Sequence, residues 1–478
     1  MSQLKIKVYN SLTRKKEDFV PRDPEHVSIY VCGVTPYSQT HLGHARPSVI
    51  WDVIKRFFRL QGYTVTHVQN FTDVDDKIIE RANQEGLPAL AISKRYIEEY
   101  FDSMDALGVE RASLYPKVSE HIDEIIDMVQ TLIDGGYAYE SDGNVFFHVA
   151  SFPEYGKLSN QRREDLLEGT RFEVDPAKRD AADFALWKKA KPGEPAWDSP
   201  WGSGRPGWHI ECSVMSHKYL GTKFDFHGGG ADLIFPHHEN EIAQSEAATG
   251  EPSARYWVHN GMLNLKDAKM SKSTGNFVSV EELVKRYPKE LIRYYILSTH
   301  YRSTLEYYDG KLEEISKGWR RLNDTVINLR QLMDKTKSDR ELDEKDRKVL
   351  EVLDSLQIDF LEALADDFNT AMAIGVLFEI VREVNGYMSE QGERVHEAVL
   401  AKALTILEEY GGGVLGILQE DEVDGQHELV EPLIELILEL REELRQEKNF
   451  SLADKIRIRL GEIGVAVEDT PQGPRWKV

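Results

Sequence analysis

His26-Val27-Ser28-Ile29-Tyr30-Val31-Cys32-Gly33 reads as a short buried strand ending at a glycine. A turn rich in Gly and His follows. Next come an amphipathic run from Ala45 to Leu60, a second strand-like run from Tyr63 to Gln69, and Asp73-Val74-Asp75-Asp76. Strand, helix and strand at this spacing predict a βαβ unit and a parallel sheet. A second α/β set spans about 205 to 295. There Lys223–His227 is strand-like and runs into Gly228-Gly229-Gly230, Phe235–Ala248 is helical in texture, and Arg255–His259 is another strand candidate. Between the two sets, from about 90 to 200, helical periodicity gives way to short polar stretches around Pro192 and Pro200, the texture of an insertion. Beyond 300 the pattern is almost wholly helical and predicts a bundle. Gly411-Gly412-Gly413 and the polar stretch Gln419–Glu428 read as a linker, and a small tail covers 429–478. The chain carries no internal repeat and no low-complexity segment.

The 478 residues suffice for about three domains. The composition, 41% hydrophobic and 29% charged, is that of a globular protein. No stretch approaches the ~18 apolar residues that would span a bilayer, and MSQLKIKVYN lacks a signal-peptide pattern. A cytoplasmic protein is expected, without a membrane partner. Two cysteines, Cys32 and Cys212, exclude a disulfide framework and leave thiols that are free, metal-bound or catalytic. The net charge of −23 argues against a nucleic-acid partner. Its distribution weakens that argument. Residues 408–443 hold twelve acids and one base, whereas 444–478 hold seven bases and five acids. Nucleic acid needs only one favourable face.

His41-Leu42-Gly43-His44 lies between a strand end and a helix start. Helix N-termini gather unpaired N–H groups and favour phosphate, a glycine lets a ligand approach the backbone, and two imidazoles can donate to phosphoryl oxygens. Lys269-Met270-Ser271-Lys272-Ser273, about 225 residues downstream, offers two lysines three apart, compact charges suited to a leaving pyrophosphate. Alone, the first motif also fits a helix start with two surface histidines, and the second a polar turn. Together they resemble the two signature motifs of class I aminoacyl-tRNA synthetases. That resemblance implies a Rossmann-like catalytic domain split by an insertion, with nucleotide at the carboxyl ends of parallel strands.

Phe235-Pro236-His237-His238-Glu239-Asn240-Glu241 supplies further donors. His237 and Glu241, four apart, share a helix face, whereas His238 has Ile242 at that spacing and so lacks a liganding partner, which favours His237. Cys32, Cys212, His237 and Glu241 form a donor set suited to Zn²⁺. The residues alone leave two buried thiols and a solvated helix as the alternative.

Four segments narrow the resemblance to the cysteinyl-tRNA synthetase family: Tyr30–Gly33, Asn70–Lys77, Gly207–Cys212, and His227–Gly230 with Phe235–Glu241. In that family residues matching Cys32, Cys212, His237 and Glu241 hold zinc, here expected at one ion per chain. Val34 and Pro36 stand where the family usually has proline and valine around Thr35, and Thr274 stands where it has leucine. The resemblance implies an α/β fold: a Rossmann-like parallel-sheet catalytic domain split by an insertion, then a helical bundle and a small C-terminal anticodon-binding domain. The expected divisions are 1–120 and 205–300 for the catalytic halves, 121–204 for the insertion, 301–345 for a stem-contact region, 346–418 for the bundle and 429–478 for the anticodon domain.

The implied activity joins cysteine to the 3′ ribose of tRNA(Cys) through a cysteinyl-adenylate, using ATP with Mg²⁺. A soft thiolate outcompetes a hydroxyl for zinc, so the metal would read cysteine against serine, which an apolar pocket does weakly. His41, His44, Lys269 and Lys272 are the expected catalytic residues, and His41, His44, Asp232 and Lys272 the ATP contacts. Gly33, Thr35, Thr72 and Trp208 are expected around the cysteine, and Arg457, Arg459, Arg475 and Trp476 on the tRNA. Trp208, Thr72 and Asp232 could equally be a core aromatic and two helix caps. A monomer is expected. The competing reading is a cysteine ligase with an amino-sugar acceptor, of the mycothiol-biosynthesis type, which Cys32–Tyr37 also resembles. The tail, Phe450–Arg457 and Thr470–Trp476, separates the two, because that branch lacks it.

Overall fold

The computed structural model describes residues 4–161, 176–266, 278–336, 340–419, 425–446, 449–462, 465–470 and 473–477. The chain forms two compact units, Met1–Leu418 and Gln419–Val478.

The first unit begins with an antiparallel hairpin, β1 (Lys7–Asn10) and β2 (Lys15–Asp18). The predicted parallel sheet follows: β3 (His26–Val34), β4 (Thr64–Phe71), and, past the insertion, β9 (Phe224–Gly230) and β10 (Ala254–Asn260). Their order is β10-β9-β3-β4, all parallel. The chain leaves β3 towards β4 on one side and later returns to β9 on the other. A topological switch point therefore lies between β3 and β9, where such sheets bind ligands at their carboxyl ends.

The period of two along β3 separates the two cores. Val27, Ile29 and Val31 pack with Val49, Val53 and Phe57 of α1 (Leu42–Leu60). Tyr30 joins Ile125 and Val129 of α2 (Ile122–Asp134) and Cys212 and Met215 of α3 (Ile210–Leu220) on the other face. Cys32 shares the parity of Tyr30 and packs against that second core. α1 is buried on nearly every side, not only on an amphipathic stripe. The explanation is what holds its far half. Asp52 accepts from Arg293 at 2.8 Å, Arg293 also donates to the carbonyl of Leu415, and Arg56 donates to the carbonyl of Gly413 at 3.0 Å.

The region read as an insertion holds a four-stranded antiparallel sheet that its polar texture did not announce: β5 (Ala138–Ser141), β6 (Asn144–Phe147), β7 (Phe184–Lys189) and β8 (Gly204–Pro206). Each strand is three to six residues long, too short for an alternating pattern to stand out. Beyond 300 the helices Lys311–Lys335, Glu344–Ala365, Thr370–Gln391 and Glu397–Ile406 make the predicted bundle.

Gly411-Gly412-Gly413 is not linker. It lies within a wide helical turn, Leu407–Val414, and a Cβ on Gly411 would sit 3.1 Å from the Leu418 side chain. Gly411 serves close packing. The second unit has its own small core of Ile434, Leu438, Leu460 and Val465 beneath two helices, Gly425–Gln446 and Phe450–Glu462, and a hairpin, Ala466–Thr470 with Gly473–Lys477. Among the described residues no helix is long and apolar enough to cross a membrane.

Candidate active site and metal centre

The carboxyl ends of β3 and β9 open into one cavity of about 320 Å³. Cys32, Gly33, Thr35, His41, His44 and Asp232 all line it, so six of the expected residues from three separate segments meet there.

His41 caps α1 through its side chain: Nδ1 accepts from the N–H of Gly43 at 3.1 Å. In the neutral ring the proton therefore sits on Nε2, which leaves a donor on the imidazole's other side. The His44 ring stacks on His41 at 3.7 Å. Residues just past the second signature motif are stitched to this corner. Leu42 N–H donates to the Val278 carbonyl at 2.9 Å and Val280 N–H to the Thr40 carbonyl at 3.1 Å. Lys269, Lys272 and Thr274 themselves lie outside the described residues. Upstream of them, the buried Arg46 of α1 donates to the carbonyls of Gly261 and Met262 at 2.7 Å each, and to those of Tyr301 and Ser303. Burial lowers its guanidinium to about 10. α1 thus ties the chain on both sides of the second motif.

Three glycines end β9, and each makes room for something. A Cβ on Gly228 would meet Trp51, one on Gly229 would meet the His238 ring at 2.7 Å, and one on Gly230 would meet Asp232 Oδ1. Asp232 sits inside a short 3₁₀ turn, Ala231–Leu233, and is not a helix cap. Gly33 is tighter still, because a Cβ there would lie 1.6 Å from the Asn70 carbonyl oxygen of β4.

The four expected metal ligands converge. Cys32 Sγ lies 3.6 Å from Cys212 Sγ and 3.3 Å from Glu241 Oε1. His237 Nε2 lies 3.6 Å from Cys212 Sγ and 3.0 Å from Glu241 Oε1. Bonds of roughly 2.0–2.3 Å to a tetrahedral ion imply ligand separations of about 3.3–3.8 Å, so this set fits one metal ion. Its electrostatics suit a cation. Burial opposes charge on Cys212, but hydrogen bonding to Cys32 and His237 outweighs it and lowers the thiol to about 6. Burial likewise opposes charge on Glu241, yet His227 and His237 hold its carboxyl well below the usual range. Burial, together with its hydrogen bond to Cys212, pushes Cys32 well up.

His238 does have partners, contrary to the reading from helical spacing. They come from other elements: Cys32 Sγ at 3.2 Å and His259 at 2.7 Å. His227, unforeseen, sits 3.5 Å from Cys32 Sγ. Strand register could have found it, since His227 pairs with Tyr30, two residues before Cys32. His209 also escaped notice and backs His237 Nδ1 at 2.9 Å.

Trp208 is no core aromatic. It is 39% exposed and stacks on His237 at 4.3 Å. Thr72 is no cap either, since Asp75 caps the next helix, Asp76–Glu85. Thr72 instead donates to the buried Glu211 at 2.9 Å and stands 3.5 Å from Asn70, which accepts from Gly33 N–H. Neither Thr72 nor Trp208 lines the cavity, while Lys77, Tyr37, Gln69 and Asn260 do, without having been foreseen. In the second unit Arg457 and Arg459 are exposed on the helix Phe450–Glu462. Arg475 and Trp476 lie on the last strand, and their side chains are outside the described residues.

A split parallel sheet carrying this histidine corner is the architecture of class I tRNA synthetases. Residues 18–317 match the family described as the tRNA synthetases class I (C) catalytic domain, and 359–419 match the DALR domain. Methionyl-tRNA synthetase of Mycobacterium tuberculosis in complex with methionyl-adenylate shares the fold, with a TM-score of 0.61, 17% identity, and coverage of 82% of this chain and 90% of that one. Two curated relatives, each named cysteine–tRNA ligase, are nearer. That of Desulforamulus reducens is 51% identical over 484 residues, covering 99% of both chains. That of Carboxydothermus hydrogenoformans is 50% identical over 474 residues, covering 99% of this chain and 100% of the other. The chain belongs to the cysteine–tRNA ligase family.

Proposed function

We propose that this chain activates L-cysteine with ATP and transfers it to the 3′-terminal ribose of tRNA(Cys). The observation that carries the reading is the shared cavity, where Cys32 of the Cys/His/Glu cluster and the His41/His44 corner face the same space. Full-length similarity to cysteine–tRNA ligases supports it and does not favour the amino-sugar acceptor.

In the first step the cysteine carboxylate attacks the α-phosphorus of ATP in line and pyrophosphate leaves. The nucleophile is already an anion and needs no general base, so catalysis is positioning and charge stabilisation. The Nε2–H of His41 and the stacked His44 donate to the phosphates, Lys269 and Lys272 neutralise the departing pyrophosphate with Mg²⁺, and Asp232 holds the ribose. In the second step a terminal ribose hydroxyl takes the cysteinyl group and AMP leaves. Cys32, Cys212, His237 and Glu241 would hold Zn²⁺, the ion their mixed donor set suits, and when bound it would supply a soft Lewis acid that prefers sulfur to oxygen. Trp208 walls the approach to His237, and Gly33, Thr35 and Thr72 shape the ground beside it. Arg457, Arg459, Arg475 and Trp476 meet the tRNA. We place the protein in the cytoplasm, as a monomer.

The test is charging of tRNA(Cys) against an amino-sugar acceptor under the same conditions. Cysteinylated tRNA is expected. Ligation to the sugar alone would overturn the reading.

A further inference from the structure

Outside the four ligands assigned above, the densest unexplained chemistry is the pair His227 and His238, buried at 2% and 0% exposure. We propose that the centre has a second, inner seat for a divalent metal ion, formed by Cys32, His227, His238 and Glu241. It rests on the zinc reading for the outer seat, because the two seats share Cys32 and Glu241.

The geometry fits a second tetrahedron. Cys32 Sγ lies 3.5 Å from His227 Nε2 and 3.2 Å from His238 Nε2. Glu241 Oε2 lies 3.1 Å from His227 Nε2, and Oε1 lies 3.9 Å from His238 Nε2. These separations bracket the edges of about 3.3–3.8 Å that one ion requires. All four donor atoms lie within 4.8 Å of one another, as in the outer set.

Two further observations point to an ion. Glu241 is 1% exposed, and among the described residues no hydrogen-bond donor is aligned to its Oε2. His227 Nε2 stands 3.1 Å from that oxygen, a separation that two ligands of one cation would keep. An orphaned carboxylate oxygen is otherwise costly to bury. His238 is also backed as a metal-bound imidazole is: its Nδ1 meets His259 at 2.7 Å, and His259 meets Ser11 Oγ at 2.8 Å.

The two seats differ in access. His237, in the outer seat, lies against the 39%-exposed Trp208. His227, in the inner seat, lies against Trp257, stacked at 4.2 Å and 2% exposed. The inner seat thus has a buried indole beside it where the outer seat has an exposed one. One ion occupies one seat at a time, since Cys32, Cys212 and Glu241 carry too little negative charge for two divalent ions.

Cobalt(II) substitution of the full chain separates the seats, because thiolate-to-cobalt charge transfer counts sulfur ligands. Wild type should bind one equivalent with a two-thiolate band. Cys212→Ser, which removes only an outer ligand, should still bind one equivalent, with about half that band. Adding His238→Gln to Cys212→Ser should abolish binding, whereas His238→Gln alone should keep the two-thiolate band. If Cys212→Ser retains its circular dichroism but binds no cobalt, the inner seat is refuted and the outer one stands. If the double variant binds as well as Cys212→Ser, the inner seat is likewise refuted. If wild type itself shows one thiolate, the outer-seat reading fails instead.

Discussion

Replacing Gly33 with alanine tests how the sheet places the centre. The new Cβ would lie 1.6 Å from the Asn70 carbonyl oxygen, against an ordinary carbon–oxygen approach of roughly 3.3 Å. The carboxyl ends of β3 and β4 must part by about 1.7 Å, and no flexible side chain can give way. Two hydrogen bonds bridge that gap, Gly33 N–H to Asn70 Oδ1 at 2.9 Å and Thr72 N–H to the Val34 carbonyl at 3.2 Å. Overpacking costs about 1–3 kcal/mol and each lost hydrogen bond about 1 kcal/mol, so Gly33→Ala should lose about 3–5 kcal/mol in urea unfolding. Cys32 moves with the strand. A misplacement of about 1 Å costs ~100-fold, so cysteine-dependent ATP–pyrophosphate exchange should fall at least that far in kcat/KM. Gly375→Ala is the control, because nothing stands within 4 Å of its Cβ in the helix Thr370–Gln391. It should stabilise by about 0.5–1 kcal/mol. A Gly33→Ala protein within about 1 kcal/mol of wild type, with unchanged exchange, would refute the steric argument.

Cys212→Ala should abolish cysteine-dependent exchange while unfolding stays cooperative; unchanged exchange would remove Cys212 from the centre. Deleting residues 429–478 should spare exchange and cripple tRNA charging, and equal charging would deny the tail its RNA role. In the bundle, burial acts to raise the Asp346 carboxyl, but Arg340 and Tyr387 outweigh it and hold it well below the usual carboxylate range. Its contribution is therefore present above the unfolded value of about 4 and is lost as pH falls through the lower folded value. Asp346→Asn should cost about 2 kcal/mol at neutral pH and flatten the acid limb measured by thermal melts. An unchanged acid limb would show that the ion pair does not couple to folding.

The parallel sheet was legible because a strand, a helix and a second strand follow one another between His26 and Gln69, a local pattern. The approach of His237 to Glu241 was legible from their spacing of one helical turn, whereas Cys32 and Cys212 joined them only through the family resemblance. His227 and His238 were not legible, because what they meet comes from other elements: Cys32 from β3, and His259 from β10. Single-residue propensities are ambiguous at three places. Thr72 and Asp232 look like caps, yet Asp75 takes the first role and a 3₁₀ turn absorbs the second. Gly411–Gly413 looks like linker, yet the Leu418 side chain lies close against Gly411.

The clamp on the far half of α1 sets an angular tolerance at its near end. Arg56, bound to the Gly413 carbonyl, lies twelve residues beyond His44 on one rigid helix, a span of about 18 Å. A tilt of about 2° about that foot sweeps His44 through about 0.6 Å, already outside the ~0.5 Å within which a working side chain must be held. The buried ions around Asp52 and Arg293 thus do the duty of an optical mount: far from the chemistry, they fix the aim of the histidines.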